Sequence, residues 1–208
     1  MILNIDKHKE NSLAVIDSAG EKLTYGELTE FSKELKRVLP SRSLVFVLAG
    51  NDVGGIAWSI GLLEAGLVPL LLNPKIDPEL LERLDEIYEP RYVCLSNRDS
   101  GRFDFERKLI CFNYSLLKTG KNNYPLNEQL SHLLPTSGST GSPKLVRHSY
   151  ENVEASALNI STFFKLKSED RPLLVLPLYY TMGLSIVFSH LYVGATILAT
   201  DLNMTQRE

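Results

Sequence analysis

Apolar positions along the chain recur with two periods. Between Leu23 and Leu39 they follow helical spacing, through Leu28, Phe31, Leu35 and Val38. Thr24 and Glu27 precede them at the spacing of a capping box, with Leu23 and Leu28 at the staple positions. A short apolar run at Leu44–Leu48 has strand length. A second helical pattern follows through Ile56, Ile60 and Leu63 and ends near Gly66. The next run, Leu67–Leu72, contains Pro69, whose missing N–H argues against pairing on both edges. Asp77 and Pro78 open a third helix, placing Leu80, Leu84, Ile87 and Tyr88 on one face, and Pro90 ends it. Tyr92–Leu95 and Lys108–Phe112 are further strand candidates. Residues 98–107 and 113–130 are more polar and read as surface connections.

Strands that alternate with helices predict parallel crossover units. The expected class is therefore α/β, a mostly parallel sheet with helices on both faces. No repeat, heptad run or composition shift marks an internal boundary, so residues 1–208 read as one unit.

Composition narrows the function classes. At 44% apolar and 23% charged, the chain is that of an ordinary globular protein. A net charge of −3 provides no electrostatic footprint for nucleic acid. No run approaches the roughly 20 apolar residues of a membrane span. The start lacks a secretory apolar stretch, so a cytoplasmic protein is expected. Cys94 and Cys111 lie in apolar runs and read as core thiols in a reducing compartment. Trp58 reads as core, and His148 as a lone surface residue in a turn. Glu79, Glu82, Asp85 and Glu86 read as a solvated helix face. His132 and His190 have no partners at metal-ligand spacing, so no metal site is expected.

The chemistry concentrates in Leu133-Leu134-Pro135-Thr136-Ser137-Gly138-Ser139-Thr140-Gly141-Ser142-Pro143-Lys144-Leu145-Val146. Gly138 and Gly141 permit backbone conformations that turn successive N–H groups toward one anion. Ser137, Ser139, Thr140 and Ser142 add hydroxyls, and Lys144 adds a positive charge. A helix then opens near Ser149 and continues through Val153, Ala157, Ile160 and Phe164. The composition alone also fits a flexible Ser/Gly linker, but strand and helix signals continue on both sides. The phosphate loop of nucleoside triphosphatases fits worse. Pro143 replaces its second Gly, and Leu145 replaces the hydroxyl that would hold magnesium.

Thr136 to Lys144 resembles the signature T-S-G-[ST]-T-G-x-P-K of the AMP-forming adenylating enzymes, which include acyl-CoA synthetases, luciferases and adenylation domains. Leu176-Pro177-Leu178-Tyr179-Tyr180-Thr181-Met182-Gly183-Leu184 is similar to that family's L-P-x-[FY]-[HY]-x-x-G-[LF] segment. Leu23-Thr24-Tyr25-Gly26-Glu27-Leu28 and Ala65-Gly66-Leu67-Val68-Pro69-Leu70 echo two upstream motifs in the family's order.

The resemblance implies the N-terminal subdomain of the adenylate-forming fold. It implies that a carboxylate attacks the α-phosphate of ATP, giving an acyl-adenylate and pyrophosphate, and that a thiol then takes the acyl group. Thr136, Ser137, Gly138, Ser139, Thr140, Gly141, Ser142 and Lys144 would hold the β- and γ-phosphates, with Lys144 stabilising the leaving charge. Tyr180 stands near the acyl pocket, with room left by Gly183, although Tyr179 and Tyr180 also fit a core aromatic pair. Amino-acid-activating relatives usually carry Asp at that position, so Tyr180 favours a plain carboxylic acid.

Two positions depart from the pattern. Leu145 replaces a common Gly, and Tyr150 replaces a common His. The family's magnesium-binding Glu, its adenine- and ribose-binding segments and its mobile C-terminal domain have no counterpart in the 208 residues. The expectation is an N-terminal fragment, inactive alone, of an acid–thiol ligase using ATP, Mg2+ and coenzyme A or a carrier-protein thiol. Its partners would be a carboxylic acid, ATP and the rest of the parent chain. The alternative is a non-catalytic nucleotide- or partner-binding module.

Overall fold

Thr24 caps the first long helix in both directions. Its hydroxyl accepts from the Glu27 N–H at 3.1 Å, and the Glu27 carboxylate accepts from the Thr24 N–H at 2.7 Å. The computed structural model describes residues 1–136 and 144–202. In chain order the elements are β1 (Leu13–Asp17), β2 (Lys22–Thr24), α1 (Tyr25–Val38), β3 (Leu44–Leu48), α2 (Val53–Glu64), β4 (Val68–Leu72), α3 (Pro78–Tyr88) and β5 (Tyr92–Ser96). There follow β6 (Glu106–Cys111), β7 (Tyr114–Lys118), β8 (Leu130–Pro135), β9 (Leu145–Ser149), α4 (Tyr150–Phe164), β10 (Leu173–Leu174), α5 (Thr181–Val193) and β11 (Ile197–Ala199).

Seven strands form one sheet in the order β6-β7-β5-β3-β4-β8-β9, and four form another in the order β10-β11-β1-β2. The expected parallel sheet is its centre: β5, β3, β4 and β8 run parallel. Its margins are antiparallel, β7 with β6 on one side and β9 on the other, so the sheet is mixed. Every residue of β3 is buried because both faces are covered. Val45 and Val47 enter the core beneath α1 and α2, whereas Leu44, Phe46 and Leu48 enter a second core with Leu81 and Leu84 of α3. The first core also takes in Val15, Leu174 and Ile197 of the smaller sheet.

Several expectations are corrected. Pro69 lies in an interior strand, between β3 and β8. The Val68 N–H bonds to Ser43 O on the β3 side. Since successive N–H groups alternate sides, the missing donor of Pro69 faces β8 and leaves the β3 ladder intact. On α3 the buried residues are Leu81 and Leu84, while Leu80 and Ile87 are exposed. Val38 and Phe164 are likewise exposed at their helix ends, and burial passes to Leu39 and Ser161.

Within 113–130, read as a connection, Tyr114–Lys118 is a buried strand. Phe112 and Asn113, with φ of 50° and 60°, form the tight turn that folds it onto β6. The buried Ser115 hydroxyl, which made the segment look polar, donates to Asn97 Oδ1 at 2.6 Å. Trp58 is fully buried, as expected, and its indole N–H donates to Cys111 O at 3.0 Å. Cys94 is a core thiol, but Cys111 is only half-buried. No helix among the described residues is long and apolar enough to cross a membrane.

Candidate active site

The Thr136–Lys144 signature connects β8 to β9. Pro135 pairs with Leu145, and beyond it the Thr136 N–H donates to Lys144 O at 2.9 Å. Thr136 and Lys144 are both exposed. Ser137, Gly138, Ser139, Thr140, Gly141 and Ser142 lie outside the described residues. Because β8 runs parallel to β4 and β3, Pro135 and Thr136 lie at the carboxyl ends of the central strands. That is the end at which open α/β sheets bind ligands.

His132 of β8 and His148 of β9 are register partners, their rings stacked 4.4 Å apart and nearly parallel. His148 is therefore a strand residue in a ring pair rather than a surface residue in a turn. Ser131 gives its one hydroxyl proton to His148 O at 2.8 Å, so its oxygen accepts from His132 Nδ1, 3.0 Å away. That network assigns the proton of the neutral His132 ring to Nδ1. Burial, with His148 second, pushes His132 down to about 3, and burial also lowers His148. The edge of His132 meets the Phe188 ring of α5 at 5.7 Å, which ties the hairpin to the helix that follows the second motif.

That second motif is held by Asn51, a residue the sequence reading passed over. Asn51 follows the apolar run of β3 and precedes Asp52, the cap of α2. Its Nδ2 donates to Leu174 O at 3.2 Å and Leu176 O at 3.1 Å, and its Oδ1 accepts from the Leu178 N–H at 3.1 Å. The motif then turns into α5, with the Tyr180 N–H bonded to Pro177 O. Tyr180 is 52% exposed and Tyr179 half-buried, with ring centroids 4.8 Å apart. They form an aromatic pair in which Tyr179 packs against the first core and Tyr180 does not. A Cβ on Gly183 would lie 2.2 Å from Pro177 O and 2.7 Å from Leu176 O. Its missing side chain thus accommodates the chain's own backbone.

A crevice of about 700 Å³ opens at the same sheet end, between the two sheets. Its floor is the start of α2, where three carboxylates take three backbone donors. Asp201 accepts from the Asn51 N–H at 2.6 Å, Asp17 from Val53 at 3.1 Å and Asp52 from Gly55 at 2.6 Å. Burial, with Asp201 adding to it, raises Asp52, whose other oxygen accepts from the Tyr114 hydroxyl. None of Thr136, Lys144, Tyr180 or Gly183 lines this crevice. Among the described residues no group of three or more His, Cys, Asp or Glu is arranged to hold a metal ion.

Comparison with known proteins identifies the family. A family model described as AMP-binding enzyme matches residues 4–206. Over 195 residues the chain is 30% identical to a 2-succinylbenzoate--CoA ligase of Bacillus cereus, covering 88% of this chain and 39% of that protein. The chain thus spans about two-fifths of the length of the curated relatives it matches. Apo MatB from Rhodopseudomonas palustris superposes with a TM-score of 0.77 at 19% identity, over 95% of this chain and 44% of that one. The ATP-bound form of MatB gives 0.74 at 20% identity, over the same shares. At those identities the structural likeness speaks for the fold, that of adenylate-forming enzymes. The family model matches nearly the whole chain, and the chain belongs to the AMP-binding enzymes.

Proposed function

We propose that this chain is the phosphate-binding part of an AMP-forming acid–thiol ligase of the acyl-CoA synthetase type. One observation carries the reading. The two sequence motifs, 32 residues apart between Lys144 and Leu176, both stand at the carboxyl end of the same parallel strands. One follows the end of β8, and the other hangs from Asn51 at the end of β3. A nucleotide triphosphate and a carboxylate have to meet at one place for adenylation, and this convergence supports such a place.

In this reading Thr136, Lys144 and the residues between them bind the β- and γ-phosphates. Lys144 is exposed and makes no ion pair among the described residues, so its charge is available to the pyrophosphate that leaves. Tyr180, with Gly183 fixing the start of α5 behind it, borders the acid. A carboxylate oxygen bonds to the α-phosphorus, the bond to the β-phosphate oxygen breaks, and pyrophosphate departs with the electron pair. A thiol then displaces AMP from the acyl carbon. Coenzyme A is the favoured thiol, since 2-succinylbenzoate--CoA ligases are among the relatives matched over most of the chain, although a PKS-NRPS hybrid synthetase is matched as widely. Magnesium would accompany the nucleotide, with its protein ligand supplied by residues outside this chain. The chain alone is expected to bind nucleotide without turning it over.

Calorimetric titration of the 208-residue chain with ATP, beside Lys144→Ala, tests this. Weak binding that the variant loses supports the reading. Binding equal in both proteins removes Lys144 from the phosphate site. Carboxylate-dependent pyrophosphate exchange by the chain alone would overturn the expectation of inactivity.

A further inference from the structure

Asn51 is 5% exposed, yet its amide makes three hydrogen bonds, all to the backbone of one short stretch. Leu174 ends β10, and residues 175–180 have no sheet partner. Asn51 bonds this stretch from the side, with two donors and an acceptor in the order carbonyl, carbonyl, N–H; Leu174 O also takes the Thr200 N–H, so within 175–180 it is Leu176 O and the Leu178 N–H that rest on the amide. On the other side, Gly183 lets α5 close onto Leu176 O and Pro177 O. Between these two contacts the chain is fixed up to Tyr180.

We propose that Asn51 is the positioning residue for Tyr180 and the acid pocket it borders, an inference that rests on the ligase reading above. Only an amide of this length meets the requirement. Aspartate keeps the shape but turns a carboxylate toward two carbonyl oxygens, and glutamine sets the same groups one methylene too far. The effect is local to the segment, because α2 does not depend on this side chain. Its cap is Asp52, and the Asn51 backbone N–H is held separately by Asp201.

Two measurements test the proposal. The first uses this chain and hydrogen exchange at single amides. In Asn51→Ala the Leu178 N–H, which has lost its acceptor, exchanges about tenfold faster or more, together with its neighbours up to Met182. Amides of β3 and β4 keep their wild-type rates. Asn51→Asp, isosteric and without the donors, loosens the same segment, and Trp58 fluorescence verifies that both variants are folded around α2. Wild-type protection at Leu178 in Asn51→Ala overturns the clasp.

The second uses the full-length protein that contains this sequence. In acid-dependent ATP–pyrophosphate exchange, both variants raise KM for the acid about tenfold while KM for ATP stays within about twofold. An equal rise in both constants, or none, overturns the positioning role. A wild-type protein that exchanges pyrophosphate with no carboxylic acid overturns the ligase reading and the acid-pocket role with it. The exchange rates at Leu178 still decide whether Asn51 holds the segment.

Discussion

Arg42 Nη1 donates to the Tyr150 hydroxyl at 3.0 Å, at the opposite end of the β8–β9 pair from Thr136 and Lys144. The same guanidinium reaches Leu130 O at 2.7 Å, Asn127 O at 2.5 Å and Gly66 O at 3.2 Å. One side chain therefore joins the starts of β8 and α4 to the turn before β4. Tyr150 stands where many AMP-forming relatives have His, and here its hydroxyl belongs to a structural clasp.

Removing that clasp should cost stability without touching Thr136 or Lys144. Arg42→Ala leaves two part-buried carbonyls and a hydroxyl without their charged donor, for an expected loss of about 3 kcal/mol. Tyr150→Phe removes one bond of the set and should cost about 1 kcal/mol. Because the residues touch, the double variant should lose less than the sum. Urea midpoints of the four proteins measure this, and strict additivity would mean the pair is not coupled.

Two glycines of the motifs should respond differently to alanine. At Gly183 the added Cβ meets backbone oxygens at 2.2 and 2.7 Å, which cannot move without displacing the Leu176–Pro177 stretch. At Gly66 nothing lies within 4 Å, and only the φ of 82° penalises a side chain. We expect Gly66→Ala to lose about 1 kcal/mol and Gly183→Ala several times that. Thermal melts of the two variants discriminate, and equal losses would place the cost in chain entropy instead of steric overlap.

The two thiols should also separate. Cys94 is fully buried on β5, and burial pushes its thiol well above the ordinary range. Cys111 is half-buried and raised less, by the same cause. An aromatic disulfide reagent on the native chain should titrate at most Cys111, slowly, and reach both only after unfolding. Rapid reaction of two thiols in the native protein would contradict the buried position of β5.

Much of this fold is legible in the sequence where burial and period agree. The capping box at Thr24, the Pro78 helix start and the all-apolar Leu44–Leu48 strand each state a local rule that tertiary structure obeys. What escaped is what depends on a distant partner. Tyr114–Lys118 hides because its buried serine is satisfied by Asn97, 18 positions away. Leu80 looks as apolar as Leu81, and only the position of the sheet decides which is buried. The Thr136–Lys144 signature is recognised from its residues alone, whereas Asn51 has no motif of its own. Its significance lies in carbonyls more than 120 residues downstream.

The His132–His148 stack gives the last prediction, an acid-sensitive stability. In the unfolded chain each imidazole takes a proton near pH 6.5. In the fold His132 is pushed down to about 3 by burial and by His148, and burial moves His148 the same way. Between those values the unfolded chain binds more protons, so stability falls as pH drops below about 6.5 and stops falling near 3. Above 6.5 both states are neutral at these sites and the pair adds no slope. The buried carboxylates Asp52 and Glu64, both raised by burial, act with the opposite sign. Between about pH 6.5 and 5 one such histidine contributes up to about 1.4 kcal/mol per pH unit. His8 is also lowered by burial and contributes in the same direction, so the comparison has to be with a variant. His132→Gln should flatten the fall in melting temperature across that window, although it starts from a lower value at pH 7.5. An unchanged slope would mean that the hairpin opens to water before the stack takes up its proton.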